Sequence, residues 1–353
     1  MIVKKLECLN FRNIEKEVLM PCERMNVICG ENAQGKTNFL EAIWLFTGAK
    51  SFRGAKDNEF IKFGTEKTVI SMDFISESIE KDSSIEIKEK RTATLNGNKL
   101  KSAHSLAGSF NAIIFSPIDL KLVGEGPSNR RKFLDTAIGQ LYPSYIEILK
   151  KYARAVTQRN KIIKDLKYDS TLSIMLDVFE NEIAENGEKI ISFRKKYVAE
   201  LNNYLGDIYS GISSGKEILS MEYLSIASDN LAEKLLISRR EDMYSGVTTV
   251  GPHRDDLEFK INSFSARSFA SQGQKRSIAL SLKLAEAEVI KKDVGESPCF
   301  LLDDVMSELD PDRQNFILNH IEGMQAFITC CDPSNIKNLK EGKIFNVKEG
   351  RVV

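Results

Sequence analysis

The stretch GENAQGKT, Gly30 to Thr37, follows the apolar run MNVIC and precedes the apolar run NFLEAIWLF. It matches the pattern GxxxxGK[ST], whose glycines let successive backbone N–H groups approach a phosphate closely. The first turn of a following helix would add free N–H groups and the positive end of the helix dipole. The sequence therefore predicts a strand, a phosphate-binding loop (the P-loop, Gly30 to Thr37) and a helix, in that order.

Two side chains of the P-loop have chemistry of their own. Lys36 is expected to reach the β- and γ-phosphates of ATP, and the hydroxyl of Thr37 is expected to bind Mg²⁺. We therefore predict a site for ATP and Mg²⁺, in which Lys36 also has a catalytic role. The predicted nucleotide contacts of this segment are Gly30, Glu31, Asn32, Ala33, Gln34, Gly35, Lys36, Thr37 and Asn38.

A second candidate part of this site is CFLLDD, Cys299 to Asp304, in which four apolar residues precede two carboxylates. A buried strand that ends in acids brings negative charge to the edge of a sheet. Asp303 is then predicted to hold Mg²⁺, and Asp304 is predicted to act as the catalytic base on the attacking water. Strands often end at acidic turns, so this pattern alone is weak and gains its meaning from the P-loop.

The segment SQGQ, Ser271 to Gln274, opens a long amphipathic pattern and predicts a second anion-binding helix N-terminus. One nucleotide cannot easily occupy two such sites in one chain. A two-fold dimer solves this problem, because Ser271, Gln272, Gly273 and Gln274 of one chain would then contact the nucleotide bound by the other. The alternative is an ordinary serine N-cap followed by a flexible glycine.

The composition limits the classes of partner. The chain has 353 residues, and its 50 Lys and Arg balance its 50 Asp and Glu, so nucleic acid would have to be bound by a local patch. No apolar run approaches the roughly 20 residues of a membrane span. The N-terminus also lacks the features of a signal peptide. These observations predict a cytoplasmic protein without a membrane partner.

The order of the patterns predicts an α/β fold with an insertion. Strand-like runs occupy the first third, and helical periodicity dominates from about Pro117 to Arg240, where two long segments resemble an antiparallel pair. Strand-like runs then return as VTTVG, DLEFKI, CFLLDD, AFITCC and KIFNVK. We predict one lobe formed by residues 1–116 and 241–353, with mixed sheets around the P-loop, interrupted by a helical lobe of residues 117–240.

The P-loop, SQGQ, the apolar-DD strand and SELD (Ser307 to Asp310), in this order, resemble an ABC-type ATPase head of the SMC branch. In that family SELD matches the D-loop, which crosses the dimer interface, so the resemblance adds Asp310 to the predicted nucleotide contacts. It also implies that Arg12 points towards the nucleotide. Asp304 replaces the usual glutamate and Cys331 stands where a histidine is common, which predicts slow hydrolysis.

More narrowly, the chain resembles the RecF family of bacterial recombination mediators over nearly its full length. The segments that support this are KSFRGAKDNEFIKFG, SPIDLKLVGEGPSNRRKFLD, VGPHRDDLEF, SQGQKRSIALSLKLAE and LLDDVMSELD. The resemblance implies an ATP-dependent homodimer with weak, DNA-stimulated ATPase activity that binds duplex DNA near junctions of single- and double-stranded DNA. It further implies RecR as partner, the RecO pathway, and loading of RecA in gap repair, replication restart and the SOS response.

A local excess of positive charge marks the start of the helical lobe. Between residues 120 and 170 there are eleven Lys or Arg against five acidic residues. Cations on one helical surface can follow phosphates without reading bases. A solvated helix face is the alternative. The candidate DNA contacts are Arg130, Arg131, Lys150, Lys151, Arg154, Arg159 and Lys161.

Two other classes of function remain open from the residues. An energy-coupling ATPase of a membrane transporter would share the P-loop, but the long charged helical lobe argues against it. A metabolic P-loop kinase would work as a monomer and would leave SQGQ and SELD without a role. Co-sedimentation with DNA or with membrane vesicles distinguishes the first alternative from a DNA clamp.

Overall fold

The computed structural model describes residues 1–166, 170–227, 230–332 and 342–353. The strands among these residues are β1 (Ile2–Phe11), β2 (Ile14–Leu19), β3 (Met25–Cys29), β4 (Thr68–Ser76), β5 (Ile79–Ile87), β6 (Arg91–Leu95), β7 (Asn98–Lys99), β8 (Ala112–Phe115), β9 (Leu219–Leu224), β10 (Asp256–Ile261), β11 (Phe264–Ser265), β12 (Cys299–Asp303), β13 (Ala326–Cys330), β14 (Gly342–Lys348) and β15 (Arg351–Val352). The α-helices are α1 (Lys36–Leu45), α2 (Lys121–Gly124), α3 (Pro127–Leu141), α4 (Pro143–Asp165), α5 (Ser173–Ser213), α6 (Leu231–Ser245), α7 (Ala266–Phe269), α8 (Gln272–Val294) and α9 (Pro311–His320).

The central sheet has the strand order β15-β14-β3-β13-β12-β8. All its neighbours are parallel except the short β15, which pairs antiparallel with β14. Every residue of β8, β12 and β13 is buried, which explains their continuous apolar sequences, since a parallel sheet is covered on both faces. The carboxyl ends of β3, β13 and β12 therefore meet at one edge of the sheet.

The second sheet is antiparallel and has the order β2-β1-β4-β5-β6-β7. Its inner face packs into the same apolar core as α1, through side chains such as Leu6, Ile70 and Phe74. The turn between β6 and β7 has positive φ at Asn96 and Gly97, as the sequence LNGN predicts. This sheet and the central sheet together form the body that contains the P-loop.

The helical insertion is built on the antiparallel pair α4 and α5, as the sequence pattern predicts. Its register is fixed by contacts between Arg159 and Glu180 at one end and between Tyr145 and Arg194 at the other. Helix α8, which follows its N-cap Ser271, packs along α5. The insertion therefore shares one apolar core with α8. An α/β body with mixed sheets around the P-loop and an inserted helical lobe is therefore confirmed.

A third sheet combines strands from both sides of residue 240, and the sequence patterns did not predict it. Strand β10 pairs antiparallel with β9 and with β11, so DLEFKI joins a strand of the helical segment rather than the central sheet. The predicted strand VTTVG is wrong, because residues 247–251 form bends and irregular chain. The predicted boundary at residue 240 stays a prediction. None of the described helices has both the length and the apolar content to cross a bilayer.

Two of the predicted DNA contacts are wrong, because their side chains are buried. Arg130 is 2% exposed and donates to both carboxylate oxygens of Asp256 and to the carbonyls of Leu122 and Glu125. It therefore joins α3 to β10 and has no free N–H fork to offer a phosphate.

Arg159 is completely buried in the helical lobe. It donates to Glu180 at 2.8 Å, to Asp242 at 2.7 Å and to the hydroxyl of Thr248 at 2.9 Å. These partners belong to α5, to α6 and to the segment after α6. Arg159 thus connects three parts of the insertion through charge-assisted hydrogen bonds.

We predict that Arg159→Ala destabilises the protein by about 3–5 kcal/mol, because it leaves the fully buried Asp242 without its cation and leaves Glu180 with Arg239 alone. Urea unfolding monitored by circular dichroism measures this change. The control Arg154→Ala, at an exposed position earlier in α4, should change stability by less than about 0.5 kcal/mol. Equal stability of the two variants would contradict the structural role of Arg159.

Candidate nucleotide-binding site

The P-loop connects the end of β3 to the start of α1. Its two glycines are required by close approaches: a Cβ at Gly30 would lie 2.2 Å from the carbonyl oxygen of Val347, and a Cβ at Gly35 would lie 2.7 Å from Oδ1 of Asn13. Gly35 also has a φ of 107°, which L-residues rarely adopt. The loop is therefore shaped by packing against β14 and against the β1–β2 turn.

Lys36 is the first residue of α1, and only 6% of it is exposed. Its ammonium group donates to the carbonyl of Gly30 at 2.6 Å and to that of Glu31 at 3.0 Å. It also lies 3.6 Å from Sγ of Cys331, which follows β13. The structure thus holds the Lys36 charge over the P-loop, with a thiol at the position where the ABC pattern has a histidine.

Thr37 and Asp303 meet across the edge of the central sheet. The Thr37 hydroxyl donates to Oδ1 of Asp303 at 2.7 Å, and the hydroxyl of Thr329 donates to the same oxygen at 3.0 Å. Burial raises the pKa of Asp303, while these two hydrogen bonds oppose that shift. A hydroxyl and a carboxylate are hard oxygen donors of the kind Mg²⁺ prefers, so the pair fits the predicted ion.

Asp304 is the first residue after β12, and it has a positive φ of 54°. Its backbone N–H donates to the Thr329 hydroxyl at 2.8 Å, and its carbonyl accepts from the Ser307 hydroxyl at 3.1 Å. These bonds fix the backbone turn, and the Asp304 side chain remains half-buried. The Asp304 side chain thus follows Asp303 at the same edge of the sheet, and its role as a base stays a prediction.

Arg12 lies beside α1 rather than free in solution. Its guanidinium donates to Glu41 at 2.8 Å and covers the ring of Phe60 at 5.0 Å. Glu41 is fully buried and also accepts from the hydroxyl of Ser51. Arg12 therefore sits next to the P-loop helix, and its contact with nucleotide stays a prediction.

Three polar residues close to the P-loop were not identified from the sequence. Asn13 accepts from the Asn38 side chain at 2.8 Å, and Thr329 bonds Asp303 as described above. Arg53 donates to the Asn38 side chain at 3.2 Å and lies near enough to Asp303 to lower its pKa. Thr329 could have been found, because it is the last residue but one of a strand next to the apolar-DD strand, whereas Asn13 and Arg53 follow no local pattern.

The segment Ser271–Gln274, which we call the signature segment, begins α8 with a capping box. The Ser271 hydroxyl accepts from the Gln274 N–H at 3.2 Å, and the Gln274 side chain accepts from the Ser271 N–H at 2.7 Å. The other end of the Gln274 amide donates to Glu217. The side chain of Gln274 is therefore occupied within its own chain, and its contact with nucleotide stays a prediction.

Packing within the chain does not explain the glycine of the signature segment. A Cβ at Gly273 would meet no atom of the described residues closer than 3.8 Å, and its backbone does not need positive φ. Ser271 and Gln272 are exposed beside it. No hydrogen bond among the described residues joins Ser271–Gln274 to the P-loop. The helix start is therefore open to a group from outside the chain.

Asp310 begins α9 as its N-cap, accepting from the Arg313 N–H at 2.9 Å and pairing with the Arg313 side chain. The Arg313 Nε donates to Ser277 on α8 at 3.0 Å. Arg276 of α8 donates to the carbonyl of Glu308 at 3.0 Å. These bonds hold the segment Ser307–Asp310 next to the start of α8, so the predicted D-loop and the signature segment form one surface.

The remaining candidate DNA contacts lie on or near α4. Lys150, Arg154 and Lys161 are exposed. Because successive residues of an α-helix are rotated by about 100° around its axis, these three side chains start within about 40° of one another and lie on one face of α4. We call these three residues the α4 stripe. Lys151 is exposed but lies to one side of the stripe, and Arg131 donates to the carbonyl of Asp255, so only part of its charge faces solvent.

Comparison with known proteins identifies the family. The family model described as RecF/RecN/SMC N terminal domain matches residues 2–351. The DNA replication and repair protein RecF of Agathobacter rectalis is 40% identical over 100% of this chain and 99% of its own length. The protein of the same name from Lachnospira eligens is 38% identical with the same coverage.

Solved structures agree with this assignment. The structure of the recombination mediator protein RecF with ATP, in the RecFOR pathway, has a TM-score of 0.92 and 38% identity, covering 100% of this chain and 97% of that one. The Smc head domain of Pyrococcus furiosus has a TM-score of 0.56 at 17% identity, covering 100% of this chain and 96% of that one, which shows the shared ABC-type head fold alone. With the P-loop, the apolar-DD strand and the inserted helical lobe in place, this chain belongs to the RecF family of DNA replication and repair proteins.

Proposed function

We propose that this protein is an ATP-dependent DNA-binding recombination mediator that dimerises around ATP. The observation that supports this most directly is the start of α8, where Ser271 and Gln272 are exposed and no hydrogen bond among the described residues reaches the P-loop. A second copy related by a two-fold axis would bring this signature segment onto the nucleotide held by the first copy. Asp310, in the same surface, would then lie at the interface.

In this proposal ATP is bound by the P-loop and Mg²⁺ by Thr37 and Asp303. Backbone N–H groups at the start of α1 would receive the phosphates, and Lys36 would exchange its carbonyl partners for phosphate oxygens. Mg²⁺, when bound, would neutralise charge on the β- and γ-phosphates. Arg12 and Arg53 would add positive charge near Asn38. The solved structure of the related RecF with ATP supports this assignment of the ligand.

Hydrolysis is proposed to be slow and to serve release of DNA. Asp304 would accept a proton from the attacking water, but its carboxylate reaches one methylene less far than the glutamate common in ABC-type heads. The thiol of Cys331, which hydrogen-bonds Asn32 at 3.2 Å, is a weak donor where an imidazole is common. Both features favour a long-lived ATP-bound dimer, so we propose weak ATPase activity that DNA stimulates.

The DNA surface is proposed to be the α4 stripe with Lys151 beside it. Its cations would neutralise phosphates of duplex DNA without selecting a sequence. Because the related proteins act in the RecFOR pathway, we further propose that the dimer binds near junctions of single- and double-stranded DNA in the cytoplasm. There it would work with RecR, in the pathway of RecO, to load RecA during gap repair, replication restart and the SOS response.

The dimer proposal predicts that Ser271→Arg binds ATP but stays monomeric, because the added side chain and charge block the facing copy. Light scattering over a concentration series, with a non-hydrolysable ATP analogue, measures the mass. Lys36→Met should lose both analogue binding and the dimer. Asn319→Arg, at an exposed position of α9, should dimerise normally. A normal dimer of Ser271→Arg would refute this interface.

The base assignment predicts that Asp304→Asn binds ATP as well as the native protein and lowers turnover by roughly 10²- to 10⁴-fold, the range for loss of a general base. Steady-state phosphate release measures turnover, and the mass of the ATP-bound species should remain that of a dimer. Glu322→Gln, at an exposed position after α9, is the control with the same chemical change. Unchanged turnover in Asp304→Asn would remove Asp304 from this role.

The DNA proposal predicts weaker binding when Lys150, Arg154 and Lys161 are all changed to Gln. Affinity should fall for every duplex sequence, and the slope of log affinity against log salt should decrease by about 0.9 for each phosphate that the variant no longer neutralises. Fluorescence anisotropy at several salt concentrations measures both quantities. Changing the exposed residues Lys67, Lys88 and Lys90 to Gln alters net charge equally and should leave the slope unchanged.

A further inference from the structure

A cavity of about 610 Å³ lies between the ATPase body and the helical lobe. Its walls come from the end of α1 and the following loop on one side and from α3 and α4 on the other, and α8 forms its floor. The volume falls within the roughly 300–1,000 Å³ of small-ligand pockets. None of the functions proposed above uses this space, which we call the interlobe cavity.

The walls of the interlobe cavity are apolar and partly aromatic. Trp44 and Phe52 stand edge to face, with ring centroids 6.3 Å apart, and Phe133 of α3 lines the same cavity. Ile146 and Leu149 of α4 complete this side. Aromatic and aliphatic walls of this kind suit a flat ring that stacks or slides between them.

The floor of the cavity is charged and nearly buried. Lys283 of α8 lies 3.4 Å from Asp119 and 3.3 Å from Glu286, and it also covers the Phe133 ring at 5.0 Å. Two carboxylates thus share one ammonium group, and burial raises the pKa of Glu286 while the charge of Lys283 opposes that shift. The side-chain amide nitrogen of Gln140, a residue 1% exposed, has no hydrogen-bond partner in the described part of the chain. The floor therefore offers carboxylate oxygens to a group that donates hydrogen bonds, and the Gln140 amide N–H to a group that accepts one.

The mouth of the cavity is positive. Lys50 and Lys132 both line it, and neither forms an ion pair with a described residue. Partial desolvation lowers the pKa of Lys132, the nearby carboxylate of Asp119 opposes this shift, and the charge of Lys50 adds to it. Lys150 lines the same mouth and is the first residue of the α4 stripe. An anionic group placed between these lysines would relieve their mutual repulsion.

We propose that the interlobe cavity binds one unstacked nucleotide, with its base between the aromatic walls and its phosphate at Lys50 and Lys132. An exocyclic amino group of the base would donate to the floor carboxylates of Asp119 and Glu286. This proposal rests on the proposed DNA-binding function. The α4 stripe would lead the duplex to the cavity, and the nucleotide would come from the single strand where the duplex ends.

The nucleotide in the cavity could belong to a DNA strand or could be a free mononucleotide. The fluorescence of a tryptophan in the cavity wall can report the binding of either. Trp44 is the one tryptophan of the chain and lines the cavity. Its fluorescence should change with a duplex that has a single-stranded extension, and not with a blunt duplex of the same length. Titrations with dAMP alone, and with a short acidic peptide that contains phenylalanine, test the other occupants.

The variant Ala153→Phe fills the cavity from an exposed position of α4 that lines it. Ser144→Phe, at an exposed position of the same helix outside the cavity, is the matched control. We expect the native protein and Ser144→Phe to bind the extended duplex roughly fivefold or more tighter than the blunt duplex, as one stacked base would provide. Ala153→Phe should bind both duplexes equally, with the affinity of the native protein for the blunt duplex.

The outcomes separate this inference from the proposed function. If neither the native protein nor any variant binds a blunt duplex, the proposed DNA-binding function is wrong. If the native protein binds blunt DNA but Ala153→Phe keeps the full preference for the extension, the cavity proposal is wrong. A response of Trp44 to dAMP or to the peptide, without a preference for extended DNA, would also overturn it, and would assign the cavity to that ligand.

Discussion

The hydrogen bond between Thr37 and Asp303 joins two segments that are 266 residues apart, and the geometry of the candidate nucleotide site depends on it. It forms because β3, β13 and β12 run parallel in adjacent places, so that the P-loop and the apolar-DD strand end at one edge of the sheet. Thr329, at the end of the strand between them, bonds the same carboxylate oxygen. Asp303 is thereby oriented in spite of a burial that raises its pKa.

The helical insertion is held together by buried ion pairs rather than by apolar contact alone. Arg159 forms ion pairs with Glu180 and Asp242, and Arg130 forms an ion pair with Asp256. Removing one member of such a group leaves an unpaired buried charge, which is why these arginines specify the shape of the lobe. These contacts hold α4, which carries the α4 stripe, against α5 and α6.

The nucleotide site and the interlobe cavity share one short segment of chain. Ser51 and Phe52 line the cavity, and the hydroxyl of Ser51 bonds Glu41, the partner of Arg12 beside the P-loop. A change in the position of Arg12 on binding ATP would therefore reach the cavity wall through two hydrogen bonds. This contact offers a physical route by which the proposed ATP site and the proposed DNA site would influence each other.

Local patterns were enough to locate the P-loop, the apolar-DD strand and the start of α8, because each depends on residues adjacent in the chain. Local patterns could not separate Arg130 and Arg159 from Arg154 and Lys161, since all four follow the same charged helical periodicity. Only the folded chain places carboxylates from distant segments around the first two and leaves the others in solvent. The pairing of β10 with β9 could not be predicted for the same reason. The sequence of β10 indicates that it forms a strand, but its partner strand is selected by packing between segments that are distant in the chain.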